Sequence, residues 1–212
     1  MYLAIEGVIG VGKTTLARQL QASFQSNLLL EVFEENPFLS DFYGDRARYA
    51  FQTQIFFLLS RYHQQNGSVP QMITDGHDLI TDYTFEKDSL FASINLQGDE
   101  LQMYYRVHEA LAEKIPLPNL IVYLRADSDV LMQRITMRDR PYERSMERAY
   151  IEQLNHAYDN FFLNNTAAQL SPVLVLDTNE INYVHSPEDR QWVENRIRQR
   201  LMLPPFQPEL PL

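Results

Sequence analysis

One short stretch near the start of the chain constrains everything after it. Gly7-Val8-Ile9-Gly10-Val11-Gly12-Lys13-Thr14-Thr15 satisfies the pattern G-x-x-x-x-G-K-[ST] in full. Its setting is also the required one. Tyr2-Leu3-Ala4-Ile5-Glu6 precedes it as a strand-forming run, and Leu16, Leu20, Ala22 and Phe24 follow in a helical pattern with polar residues between. Glycine lets the backbone curl so that successive N–H groups converge on a phosphate chain. The helix that starts near Gly12 adds the positive end of its dipole. Lys13 can reach β- and γ-phosphates, and the Thr14 hydroxyl suits Mg²⁺. Gly7, Gly10, Val11, Gly12, Lys13, Thr14 and Thr15 are therefore the expected triphosphate-binding residues. Where the phosphate goes is decided elsewhere in the chain.

The strand and helix that flank this loop are the first of a series. Apolar strand-like runs occur at 2–6, 28–33, 78–81, 120–124 and 173–176. Helical stretches lie between them at about 13–25, 46–66, 85–115 (two helices), 128–139, 145–166 and 187–202. Strands alternating with helices predict an α/β fold: a five-stranded parallel sheet flanked by helices on both faces. Gly67-Ser68-Val69-Pro70 and Gly98-Asp99 read as loops. Leu203-Pro204-Pro205-Phe206-Gln207-Pro208 can form neither helix nor inner strand. The expected division is a single domain over 1–203 and a Pro-rich tail over 204–212. At 212 residues with 45% hydrophobic residues, the chain can bury a sizeable core.

In open parallel sheets ligands sit at the carboxyl ends of the strands, so each strand end is a candidate. The second strand runs into Glu34-Glu35-Asn36-Pro37. Adjacent carboxylates there suit removal of a proton from a hydroxyl that accepts a phosphoryl group. The third ends at Asp82, the usual place for an acid that holds Mg²⁺ directly or through water, although an N-cap role fits equally. After the fourth come Arg134, Arg138 and Arg140, with Arg144 just beyond. Arg134 and Arg138 share a helix face, and Pro141 ends that helix near Arg140. Clustered guanidiniums suit a phosphoryl group in transfer.

The charge balance limits the partners. With 18 Lys and Arg against 28 Asp and Glu the net charge is −10, which argues against nucleic acid. The absence of cysteine excludes disulfides and thiolate metal sites. The chain starts with a strand and carries neither a charged leader nor an apolar run of membrane-spanning length. The expectation is a cytoplasmic enzyme with no nucleic-acid or membrane partner.

Taken together, these segments resemble the deoxynucleoside kinases of the P-loop NTPase fold, and most of all the bacterial deoxyadenosine/deoxyguanosine kinases. The resemblance rests on Gly7–Thr15, Glu34-Glu35-Asn36-Pro37-Phe38-Leu39, Phe51-Gln52-Thr53-Gln54, Asp82-Tyr83-Thr84-Phe85-Glu86-Lys87, Phe91-Ala92, Arg134-x3-Arg138-x-Arg140 and Asp177-Thr178-Asn179. It implies transfer of the ATP γ-phosphate to the 5′-hydroxyl of a deoxynucleoside, deoxyadenosine and/or deoxyguanosine favoured, with Mg²⁺ held by Thr14 and Asp82. Glu35 matches the glutamate that activates the hydroxyl, with Glu34 as runner-up. Gln52 matches the glutamine that reads the base edge, and Phe51 and Phe91 the aromatics around the base. Tyr43 and Glu143 match the pair on the 3′-hydroxyl. Arg134, Arg138 and Arg140 match an arginine-bearing lid, and Asp177 and Asn179 flank a loop against the adenine of ATP. The family's pattern also departs here. Many members carry acid-Arg-Ser where this chain has Asp82-Tyr83-Thr84, so either Lys87 or Arg61 takes over the missing charge or the base is read differently.

The resemblance implies a homodimer, and the segments 46–66 and 85–115, with Phe56, Phe57, Tyr62, Tyr104 and Tyr105, are candidates for its face. The alternative within the same chemistry is a thymidylate-kinase-like enzyme acting on a monophosphate. The acids at Glu34 and Glu35 disfavour it, because they repel an acceptor that already carries phosphate. A GTP-dependent switch is disfavoured because the chain has no N-K-x-D or T-K-x-D motif.

Overall fold

The computed structural model describes residues 1–164, 167 and 171–206, with the side chain of Glu34 excepted. The end of the Pro-rich tail, 207–212, lies outside the described residues. Five strands form one wholly parallel sheet: β1 (Tyr2–Glu6), β2 (Asn27–Leu29), β3 (Leu79–Thr81), β4 (Leu120–Arg125) and β5 (Val173–Asp177), in the order β2-β3-β1-β4-β5. β1 lies in the middle, pairing Leu3 with Ile80 on one side and with Leu120 on the other. Helices cover both its faces, so Leu3, Ala4 and Ile5 are fully buried. All five strands end at the same edge of the sheet, which brings the chain segments after them together.

Eight helices flank the sheet among the described residues: α1 (Lys13–Phe24), α2 (Leu39–Gly44), α3 (Arg46–Thr74), α4 (Lys87–Asn95), α5 (Gly98–Ala112), α6 (Ser128–Arg138), α7 (Arg148–Leu163) and α8 (Pro187–Arg200). Beside β4 the core is aromatic. Tyr123 stacks on Phe162 with centroids 4.7 Å apart, and Tyr158 packs against both.

Three elements differ from the sequence reading, each for a physical reason. β2 stops at Leu29 instead of continuing to residue 33. Beyond that point its backbone is bonded by side chains: Gln64 Nε2 donates to the Leu30 carbonyl at 2.8 Å, and the Glu31 N–H donates to Asp82 Oδ1 at 2.7 Å. The chain then forms a 3₁₀ turn at Phe33–Glu35, and Asn36 seals it by donating to the Thr53 carbonyl at 3.2 Å. α3 runs on through Gly67 and Pro70, which read as a loop. Leu58, Arg61, Gln65 and Val69 keep one helical face buried, and that packing outweighs the lost proline N–H and the poor propensity of glycine. Gly98, also read as a loop residue, starts α5 with a positive φ of 55°.

Candidate active site

A cavity of about 350 Å³ opens where β1, β2 and β3 end. The phosphate loop forms its floor. Gly10 and Gly12 have φ of +90° and +103°, a region that glycine occupies without strain. A Cβ at Gly10 would lie 2.9 Å from the Leu131 carbonyl of α6, so the loop and α6 are in van der Waals contact through a missing side chain. Tyr183 donates its hydroxyl to the Val11 carbonyl at 2.9 Å and closes the loop from behind. Lys13 Nζ donates to the Gly7 carbonyl at 2.6 Å and to that of Val8 at 3.2 Å. Burial, then the charge of Lys87, lowers the Lys13 pKa to about 8.

Two buried acids tie this floor to the third strand. Glu6 is fully buried and accepts from the Gly7 N–H at 3.1 Å, the Thr84 N–H at 2.6 Å and the Thr84 hydroxyl at 2.9 Å; burial raises its pKa. Asp82 accepts the Thr14 hydroxyl on one oxygen at 2.5 Å and the Glu31 N–H on the other at 2.7 Å. One carboxylate thereby fixes the distance between the phosphate loop and the start of the opposite wall.

On that wall the side chain of Glu31 lines the cavity between two cations. Lys87 Nζ lies 2.5 Å from Glu31 Oε2, and an Arg61 terminal nitrogen is bonded to Oε1. The other terminal nitrogen of Arg61 pairs with the fully buried Asp88, and its guanidinium lies 4.6 Å above the Phe57 ring. Burial alone would raise the Glu31 pKa, but the charges of Arg61 and Lys87 hold it well below the usual carboxylate range. Tyr83, which occupies the place where an arginine was expected, is turned into the core and donates its hydroxyl to Gln64 Oε1 at 2.5 Å.

Gln54 precedes Arg61 by about two turns of α3, so both project from one helix face into the cavity. It is 2% exposed, and its amide makes no hydrogen bond among the described residues. Phe91 and Phe57 flank it, and Tyr43 and Tyr142, stacked at 6.3 Å, close the far side. Above them Arg138 makes paired hydrogen bonds to the buried Glu143 at 2.7 and 2.5 Å, and Arg140 lies 4.3 Å over the Phe33 ring.

The structure thus brings together Lys13, Thr14, Asp82 and Lys87 with Tyr43, Phe91, Glu143, Arg138 and Arg140, and with Gly10, Gly12 and Thr15 of the loop. It does not bring in Glu35, which is exposed on the 3₁₀ turn, nor Gln52, which is exposed on the outer face of α3. The side chain of Glu34 lies outside what the structure describes. Phe51 packs against the core. Gly7 and Val11 are buried beneath the cavity rim. Arg134 is directed at the outer side of the loop, donating to the Val11 carbonyl at 3.3 Å and to the Thr178 carbonyl at 2.6 Å. Asp177 Oδ1 accepts the Asn179 N–H of its own loop at 3.0 Å, and Asn179 Oδ1 accepts the Asp127 N–H at the start of α6 at 2.8 Å. Glu31, Gln54, Phe57, Asp88 and Tyr142 were missed in the sequence reading. The one signal for Gln54 was its spacing from Arg61, which keeps the two on one helix face.

Comparison with known proteins agrees with this fold. The family model described as deoxynucleoside kinase matches residues 3–202. The chain is similar to a deoxyguanosine kinase of Bacillus subtilis (strain 168), 32% identical over 203 residues that span 95% of this chain and 98% of that protein. It is also similar to a deoxyadenosine/deoxycytidine kinase of the same organism, 27% identical over 88% of each chain. Among solved structures, deoxyadenosine kinase from M. mycoides with bound dATP superposes with a TM-score of 0.79 at 23% identity, over 93% of this chain and 99% of that one.

Proposed function

This chain belongs to the deoxynucleoside kinase family, and we propose that it transfers the γ-phosphate of ATP to the 5′-hydroxyl of a purine deoxynucleoside, deoxyadenosine or deoxyguanosine. The observation that carries the reading is Glu31, a buried carboxylate inside the cavity, joined through Asp82 to Thr14 of the phosphate loop. On this reading the proton acceptor for the hydroxyl is Glu31 and not the exposed Glu35. The loop amides and Lys13 hold the β- and γ-phosphates, the hydroxyl lies between Glu31 and the γ-phosphate, and Arg138 and Arg140 balance charge from above. Gln54 presents one donor and one acceptor to the base edge between Phe57 and Phe91, with Arg61 beside it. Tyr43 and Glu143 bound the sugar side, and Asp177 and Asn179 shape the loop facing the adenine of ATP. The deoxyguanosine kinase to which the chain is similar supports a purine acceptor.

The residues present suit Mg²⁺. Thr14 and Asp82 offer hard oxygen donors beside the phosphate loop. Bound there, Mg²⁺ would neutralise charge on the phosphates. The enzyme is further proposed to be a cytoplasmic homodimer with 1–203 as its one domain; no helix among the described residues is long and apolar enough to cross a membrane.

Steady-state assays with ATP and a panel of deoxynucleosides and their monophosphates test the acceptor; phosphorylation of monophosphates alone overturns it. In the same assay Glu31→Gln is expected to lower kcat by about 10²–10⁴-fold, and Glu35→Gln by less than about threefold.

A further inference from the structure

Each carboxylate oxygen of Glu31 already accepts from a cation in the arrangement described above. Arg61 takes Oε1 and Lys87 takes Oε2. A cation that gives way leaves its oxygen more open to a hydroxyl and more basic, and the two are not equivalent. Arg61 has a second partner: its other terminal nitrogen is paired with Asp88, which is fully buried and fixed at the start of α4. It also has Phe57 beneath its guanidinium. It can release Glu31 and remain neutralised. Lys87 has no second ion pair. Glu31 is its one ion-pair partner among the described residues, it is 5% exposed, its Nζ lies 5.7 Å from the Phe91 ring centre, and its charge lowers the pKa of the neighbouring Lys13. Withdrawing Lys87 from Glu31 would leave a buried charge without its ion pair. Arg61 moreover lies on the Gln54 side of the cavity, where an incoming base gives its donors something else to bond.

We propose that Lys87 is the positioning residue that stays on Oε2 throughout the reaction, and that Arg61 is the cation that leaves, freeing Oε1 to take the hydroxyl proton. The inference rests on Glu31 being the proton acceptor. The step balances without further reactants. The 5′-oxygen forms a bond to the γ-phosphorus as the bond from that phosphorus to the β,γ-bridging oxygen breaks, the hydroxyl proton passes to Oε1, and ADP departs with the bond electrons. Lys87 fixes the rotamer of the carboxylate, so that Oε1 faces the hydroxyl. Tyr83, in the position where the resemblance led an arginine to be expected, is committed to Gln64, so the charge at this wall comes from Lys87, the first residue of α4, instead.

The test compares four variants in the full-length enzyme. Lys87→Met keeps the stem and removes the charge; kcat is expected to fall by about 10²-fold while KM for ATP stays within about threefold. Lys87→Arg is expected to restore kcat to within about tenfold of the parent. Lys87→Ala is expected to regain activity with added methylammonium, which a purely structural role does not produce. Glu31→Gln is the control. If Glu31→Gln keeps its activity, the assignment of the proton acceptor fails. If Glu31→Gln is inactive but Lys87→Met retains kcat within about threefold, the Lys87 role fails alone. A folded Lys87→Arg as inactive as Lys87→Met, with no rescue of Lys87→Ala, also overturns it. Should Lys87→Met not fold, the Arg variant and the methylammonium rescue decide.

Discussion

At the scale of single residues, the site depends on which polar groups are already satisfied. Gln54 and Gln52 are chemically identical, yet only Gln54 presents an unbonded amide to the cavity, while Gln52 faces solvent. Gln54→Ala is accordingly expected to raise KM for the nucleoside by about tenfold or more, the worth of one to two hydrogen bonds, and Gln52→Ala to leave it within about threefold. Substrate titrations of both variants at saturating ATP check this. His108 makes a different point. It is 6% exposed, stacked 4.8 Å from Phe85 and 6.1 Å from Tyr104. Burial lowers its pKa below the usual 6.5, against a smaller upward pull from a Phe85 backbone hydrogen bond and the charge of Glu109. The folded state therefore holds the neutral ring while the unfolded chain takes up a proton below about pH 6.5. The stability that His108 contributes is present above that pH and is lost as pH falls through it. Thermal melts from pH 7.5 to 5 are expected to show a smaller drop in Tm for His108→Phe than for the parent; equal drops would remove His108 from the account.

At the scale of elements, α6 and the phosphate loop behave as one unit. Gly10 meets the Leu131 carbonyl and Ile135 without a side chain between, and Arg134 bonds back to the Val11 carbonyl. Gly10→Ala must both enter a strained φ and push α6 away. A cost of about 1–3 kcal/mol follows, which at about 2–4 °C per kcal/mol for a chain of this size is visible in a melt. Arg134→Ala leaves α6 in place but frees the outer side of the loop; KM for ATP is expected to rise about tenfold with KM for the nucleoside nearly unchanged. An unchanged ATP KM would show that the loop holds its shape without that contact. α3 teaches the reverse lesson about helix rules. Pro70 and Gly67 are poor helix residues, but burial of Gln65 and Val69 carries the helix across them.

For the whole molecule, an acidic chain surrounds a basic cavity. Lys13, Arg61, Lys87, Arg138 and Arg140 line it beside Glu31, Asp82 and Glu143, so cations outnumber acids at this opening in a protein of net charge −10. The aromatics first considered for a subunit face have other duties: Tyr104 is fully buried, Phe57 lines the cavity, and Tyr62 and Tyr105 pack on the core. Leu59 on α3 and Met103 on α5, 41% and 52% exposed, remain as apolar surface on those helices. Sedimentation at micromolar concentration is expected to give a dimer; a monomer there would end that proposal.

The parallel α/β order, the family and the phosphate-loop motif were legible from the sequence alone. A phosphate loop is built from contiguous backbone amides, and helix and strand periodicities are local, so neighbouring residues suffice to specify them. Lys13 and Thr14 close that contiguous loop at the start of α1, and Asp82 directly follows β3, so their positions could be read locally as well. Which acid lines the cavity was decided only in three dimensions. Glu31 and Glu35 lie on the same short stretch, and their placement depends on where β2 stops. That point is set by Asp82 and Gln64, 51 and 34 residues away in the chain, whose side chains replace the sheet's hydrogen bonds. The choice between Gln52 and Gln54 likewise rests on which face α3 turns to the sheet, and the pairing of Glu31 with Lys87 on the packing of α4 against α3. Such contacts are formed by tertiary packing, so no local pattern could carry them.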